Sequence, residues 1–177
     1  MRILPLFAFA VLASCSQAPA SSDAASANAT YKANLATAQA ANQAHIDADY
    51  DTWKSFYTED AVIWDATYGS QKMTVAKAAE TFAGHHAAID GIRTAREVWL
   101  PGVDTLNLQA DGSVRAYIDW NGTSKANGHE LELRAYHYWN FDEAGKINQQ
   151  GDFYDAGGLL VAAIPPPPAK DEEGAAE

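Results

Sequence analysis

The chain has 177 residues, is 47% hydrophobic and 11% aromatic, and carries a formal charge of −11. That length supports one domain with a real core, and the acidic balance excludes a phosphate-neutralising nucleic-acid binder and electrostatic docking on anionic lipid. The single cysteine, Cys15, excludes an intrachain disulfide.

Arg2 and the apolar run over residues 3–13 form a segment too short to span a bilayer as a mature helix, and residues 1–14 read as a signal peptide. The run ends in Leu12-Ala13-Ser14-Cys15, which resembles the lipobox of bacterial lipoproteins. The resemblance implies that Cys15 is acylated and holds the protein on a lipid bilayer. With Ser16 rather than Asp next, it also implies an outer-membrane lipoprotein facing the periplasm. Residues 15–30 are rich in Ala, Ser, Pro and Asn, lack apolar periodicity and read as a flexible tether.

Residues 31–49 are Ala-rich, with Leu35, Ala38, Asn42, His45 and Ile46 at helical spacing. A short helix over residues 52–57 carries Trp53, Phe56 and Tyr57, with Trp53 and, further on, Trp99 as packing residues. A turn leads to a strand over residues 61–65 and then to a polar loop. Thr74 is placed to cap a helix over residues 75–89 whose one face holds Val75, Ala78, Ala79, Phe82, His86 and Ile89. His85 and His86 are neighbours that point about 100° apart, so they cannot chelate one metal together; His85 is expected at the surface. Residues 92–100 and 103–108 are β-rich, interrupted by Pro101-Gly102. Residues 114–121 alternate, with Val114, Ala116, Ile118 and Trp120 inward. Residues 129–141 alternate again, with Leu131, Leu133, Ala135, His137, Trp139 and Phe141 on one face. The turn Glu143-Ala-Gly-Lys146 leads to a return strand over residues 146–155. Here Asn148, Gln150, Asp152 and Tyr154 fall on one face and Ile147, Gly151 and Phe153 on the other. Residues 165–177, four prolines and an acidic stub, read as a disordered tail.

This order predicts an α+β domain with helices segregated to one face of a curved, largely antiparallel sheet. It also resembles the nuclear transport factor 2-like superfamily, in its SnoaL-like branch, over residues 31–164. The resemblance rests most on Phe56-Tyr-Thr-Glu-Asp-Ala-Val62, Asp142-Glu-Ala-Gly-Lys-Ile147 and Gly151-Asp-Phe-Tyr-Asp155. It implies a cone-shaped sheet packed on one long and two shorter helices around a deep, mostly apolar pocket, and often a homodimer through the outer sheet face, here Tyr117, Tyr136 and Tyr138. It further implies that Asp65 stands where ketosteroid isomerase-like members keep a general base. His137 then stands where they keep a hydrogen-bond donor to the substrate oxygen. Asp152 stands where epoxide hydrolase-like and cyclase-like members carry a catalytic carboxylate. Ala41 holds the place of the isomerases' second donor, a Tyr, which speaks against steroid isomerisation itself.

The residues leave alternatives open. Asp65 ends an apolar strand, as a desolvated base or as a cap on the following loop. His137 is a ligand-facing imidazole or a satisfied core residue. Asp152 faces the pocket or solvent. Phe82, Ile118, Trp120, Trp139, Gln150 and Tyr154 are the expected ligand contacts, the aromatics doubling as core. No metal, phosphate-loop or nucleophile-elbow motif appears, and no cofactor is expected. Two functions fit: a cofactor-independent acid–base enzyme of isomerase, dehydratase, cyclase or hydrolase type acting on a small apolar or aromatic molecule, or a non-catalytic envelope lipoprotein that binds a ligand or partner.

Overall fold

The computed structural model describes residues 22–70 and 72–164. Cys15 and the tail over residues 165–177 lie outside them. The order is α1 (Ser22–Ile46), α2 (Tyr50–Ser55), β1 (Tyr57–Trp64), α3 (Val75–Ala88), β2 (Ile89–Val103), β3 (Ala110–Ser124), β4 (Glu130–Phe141), β5 (Ile147–Phe153) and α4 (Ala156–Ala163). The five strands form one sheet in the order β1-β5-β4-β3-β2, antiparallel except for the parallel β1–β5 pair. The expected α+β architecture is the one observed. No helix among the described residues is long and apolar enough to cross a membrane.

Alanine is what lets α1 lie close to the sheet. Ala38 and Ala41 are wholly buried against β3, and Ala44 nearly so. Asn34 ties the helix down, its Nδ2–H donating to the Gly112 carbonyl at 2.7 Å. The helix begins at Ser22, inside the stretch expected to be a tether, because the four alanines among residues 22–30 extend it without an apolar stripe. Two side-chain caps start the next helices: Asp49 accepts from the Thr52 N–H, and Thr74 from the Lys77 N–H.

Three further details differ from the sequence expectation. β2 runs unbroken through Pro101-Gly102, because it is an edge strand, where a missing N–H costs no ladder bond. Residues 104–109 then form a turn rather than a strand. Asp104 Oδ1 accepts from the Leu106 N–H at 2.7 Å and Asn107 Oδ1 from the Gln109 N–H at 2.8 Å, a local alternative to strand pairing. Last, α4 was not expected. Asp155 Oδ1 caps it through the Gly158 N–H at 2.8 Å, and its C-terminal carbonyls accept from Ser124 and Asn127.

The β4–β5 hairpin carries a bulge that positions the site. Phe141 pairs with Ile147 but Asn140 pairs with Gln149, so Asn148 is an extra residue. The bulge shifts the pleat by one residue. Ile147, expected on the face opposite Gln150 and Asp152, is instead fully buried in the core on their side, and Asn148 is turned out. On the outer face the Tyr138 ring covers Gly151, its cross-strand partner, beside Phe153. A Cβ on Gly151 would sit 2.1 Å from Tyr138 Cε1. Gly151→Ala should therefore displace that ring and cost about 2 kcal/mol of stability in urea unfolding, with most of the loss absent in a Tyr138→Ala background.

Candidate active site

Between the inner face of β3, β4 and β5 and the helices α1 and α3 lies a partly open cavity of about 120 Å³. Its wall is mainly aromatic and aliphatic, with Trp53, Phe82, Trp120, Trp139 and Leu133 among the lining residues. Leu159 of α4 closes on it as well.

The polar groups of the wall form one hydrogen-bond chain. His137 and Asp152 are direct cross-strand partners, and His137 Nδ1 lies 2.7 Å from Asp152 Oδ1. Trp120 Nε1–H donates to His137 Nε2 at 3.0 Å. An indole can only donate, so Nε2 holds a lone pair and the ring proton sits on Nδ1, aimed at the carboxylate. Gln150 continues the chain. Its Oε1 accepts from Trp139 Nε1–H at 3.1 Å and from the Tyr57 hydroxyl. Those two donors fix the amide orientation and turn its Nε2–H group to Asp152, 3.2 Å from Oδ1 and 3.3 Å from Oδ2. Both Asp152 oxygens thus accept, as in an ionised carboxylate. Burial pushes the Tyr57 phenol well above its usual value, and the nearby Asp152 charge adds to this, so Tyr57 remains a donor.

Asp65 stands apart. Its carboxylate is not part of the cavity wall. Oδ1 accepts from the Ala66 N–H at 2.8 Å and Oδ2 from the Thr67 hydroxyl at 2.5 Å. The side chain caps the loop after β1, the arrangement of a loop-start Asp. It touches the site through Tyr154, whose hydroxyl donates to Oδ1 at 3.0 Å and whose ring lines the cavity. Burial, then the Asp65 charge, raises the Tyr154 phenol.

Of the residues expected at the site, His137, Asp152, Phe82, Trp120, Trp139, Gln150 and Tyr154 line the cavity. Asp65 does not, and Ile118 is wholly buried behind the wall in the core. His137 is not free to donate to a ligand oxygen, because Asp152 and Trp120 occupy its two nitrogens. His85, expected at the surface, is half-buried and lines the cavity, because α3 presents it beside Phe82. Burial lowers its pKa, opposed by the Asp65 and Asp152 charges.

Tyr57 and His45 were not expected at the site. Both lay in apolar stretches and read as helix-face residues; a polar ring in the Ala-rich stripe of α1 was the available signal for His45. Burial holds the His45 imidazole down at about 3, and repulsion from His86, His85 and His137 adds to it. Among the described residues no group of three or more His, Cys, Asp or Glu is arranged to hold a metal.

Comparison by sequence finds no matching protein family and no matching curated protein. Comparison by structure finds many matches. A proposed polyketide cyclase from Xanthomonas campestris pv. campestris aligns with TM-score 0.62 and 14% identity over 76% of this chain and 98% of its own. A proposed SnoaL-like polyketide cyclase from Shewanella denitrificans OS-217 aligns with TM-score 0.58 and 14% identity over 73% of this chain and 95% of its own. A Catenulispora acidiphila DSM 44928 protein with a ketosteroid isomerase-like fold, solved with trimethylamine, aligns with TM-score 0.57 and 14% identity over 73% of this chain and 93% of its own. At these identities the likeness shows the fold. The chain has the fold of the SnoaL-like and ketosteroid isomerase-like proteins, the nuclear transport factor 2-like architecture expected from its motifs.

The depressed His45 pKa sets a stability window. Its folded value of about 3 lies below the ordinary 6.5, so as pH falls the unfolded chain takes up the proton first. Stability tied to this group is complete above pH 6.5 and drains away as pH falls toward 3. Relative to His45→Phe, the wild-type protein should lose about 3 kcal/mol between pH 7 and pH 4, read as the change in the stability difference by urea unfolding.

Proposed function

We propose that the cavity is an acid–base active site for a compact, uncharged carbonyl compound, with Asp152 as the proton acceptor. The observation that carries this reading is a buried carboxylate, 7% exposed, that lines an apolar cavity and is held only by neutral donors. Among the described residues no Lys or Arg pairs with this carboxylate, so its charge is left to act on a proton of a molecule in the cavity. Asp152 takes a proton from the carbon next to a carbonyl. The C–H electron pair becomes a C=C bond, the carbonyl π pair moves to oxygen, and the proton returns at another atom. Isomerisation, dehydration and cyclisation without a cofactor share that step. His137 and Trp120 position the carboxylate, and Gln150 fixes its plane. A cavity of about 120 Å³ is of the order that admits one small ring, since an apolar cavity of about 150 Å³ holds benzene. The cyclase-like fold neighbours support the same class of chemistry.

A second reading, a non-catalytic pocket, is favoured by one observation: the polar chain from Trp120 to Tyr57 satisfies itself without a ligand. Deuterium uptake separates the two. In D2O the protein should accelerate exchange next to the carbonyl of cyclohexanone or a small cyclic 1,3-diketone, followed by NMR. Asp152→Asn should lower that rate by roughly 10²- to 10⁴-fold with ligand binding kept. Ligands that bind with no acceleration by the wild-type protein would leave only the binding reading.

The reading has two further parts. Acylation of Cys15 places the domain on an envelope membrane, supported by residues 12–15. A homodimer through the outer sheet face is supported by the contacting rings of Tyr117, Tyr136 and Phe153, with Tyr138 beside them. Light scattering of the chain from Ser16 onward should give a dimer, and Tyr136→Glu a monomer. The full chain should fractionate with membranes, and Cys15→Ser should release it. A monomeric wild type, or a Cys15→Ser protein still on the membrane, removes the corresponding part.

A further inference from the structure

The α1 side of the cavity wall holds a histidine that the acid–base chain does not use. The His45 ring is wedged edge-on against three aromatic neighbours, Phe82 at 4.9 Å, His86 at 5.4 Å and Trp120 at 5.6 Å between centroids. Its Nδ1 is shut off from water and makes no hydrogen bond. His86 does not relieve it, because His86 Nε2 is engaged 2.9 Å away with the His45 backbone carbonyl. A proton on the sealed Nδ1 would be an orphaned buried donor, a rare and costly arrangement. The neutral ring therefore carries its proton on Nε2, and the ring is part of the cavity wall.

We propose that His45 Nε2–H is the donor by which the cavity recognises an uncharged oxygen acceptor, selecting a ketone, ester or amide over a hydrocarbon of the same shape. The aromatic wedge holds the ring in one orientation, so the donor is preorganised. Burial keeps the ring uncharged at neutral pH, so it offers a carboxylate ligand no counter-charge, and the Asp152 charge repels one. The role of this donor in turnover rests on the acid–base reading, where it would hold the oxygen as negative charge grows there. Its role in recognition needs only that a ligand enters the cavity.

The test uses cyclohexanone and methylenecyclohexane, which differ by an oxygen in place of a CH2 group, titrated into the protein by ligand-observed NMR. The ketone-to-hydrocarbon affinity ratio of the wild-type protein should exceed that of His45→Phe roughly fivefold, the worth of one neutral hydrogen bond. His45→Phe should still bind the hydrocarbon, and its ratio should fall because the buried ketone oxygen then lacks a donor. Ring nitrogen spectra of the wild-type protein should place the His45 proton on Nε2, with a shift on adding the ketone and none with the hydrocarbon; this arm stands even if the variant fails to fold. Asp152→Asn should keep the ketone preference. Lost deuterium exchange with the preference intact separates failure of the catalytic reading from failure of this one. An unchanged preference in His45→Phe, a proton on Nδ1, or no binding of either ligand overturns the proposal.

Discussion

The structure depends on burying one carboxylate. Asp152 is 7% exposed, and an ionised group at that depth is tolerated only when donors replace its water. The donors come from its own sheet. His137 is its cross-strand partner, and Gln150, two residues earlier, folds its amide back onto both oxygens. This geometry requires Gln150 and Asp152 to face inward at the end of a strand whose start also faces Ile147 inward, and a regular strand cannot do that. The bulge at Asn148 resolves the conflict. It lets Ile147 join the core with Val114 and Ala61 while the next polar pair closes the cavity. Apolar packing and the polar chain thus share a strand because one residue is left out of register.

Charge in the cavity is rationed by the same burial. Asp152 is the carboxylate of the wall, while Asp65 sits behind Tyr154 and spends its oxygens on the loop after β1. His45 and His85 are both held toward the neutral form by burial. The phenols of Tyr57 and Tyr154 are held protonated. The result is one anionic centre among neutral donors and aromatic faces. That arrangement suits a neutral molecule whose charge develops only during reaction, and it suits a charged ligand poorly.

The fold was legible because it is written in periods. Alternation over residues 129–141 placed His137 and Trp139 on the inner face, and alternation over residues 114–121 did the same for Trp120. Legibility failed where a signal was uniform. Asn148, Gln149 and Gln150 are all polar, so nothing in them marks which is extra, and the bulge was invisible. Residues 22–30 are small and largely polar, so the first turns of α1 looked like a tether although four alanines carry the helix through them. Gly157-Gly158 lower the helix propensity of α4, which is secured by the Asp155 cap, by Ser124 at the end of β3 and by Asn127 in the loop after it. The site was legible as far as strand faces reach. His45 needed the packing of α1 against α3 and β3 to become a cavity residue, and Asp65 needed its loop before its carboxylate could be seen as a cap.

In the proposed acid–base chemistry, Trp120 decides how the work divides. Were His137 Nε2 open to the cavity, the pair with Asp152 would resemble a base oriented by a carboxylate, and the imidazole would be the group to meet a substrate. The indole N–H occupies that lone pair at 3.0 Å, and the indole itself is braced edge-on against His45. For His137 to accept a proton, the Trp120 bond must break and the indole must shift against His45, whereas Asp152 accepts one with the chain intact. Under the proposed function the imidazole is therefore the orienting member and the carboxylate the reacting one. The same fold with an open His137 would assign these roles the other way, which is why the fold alone does not carry the chemistry.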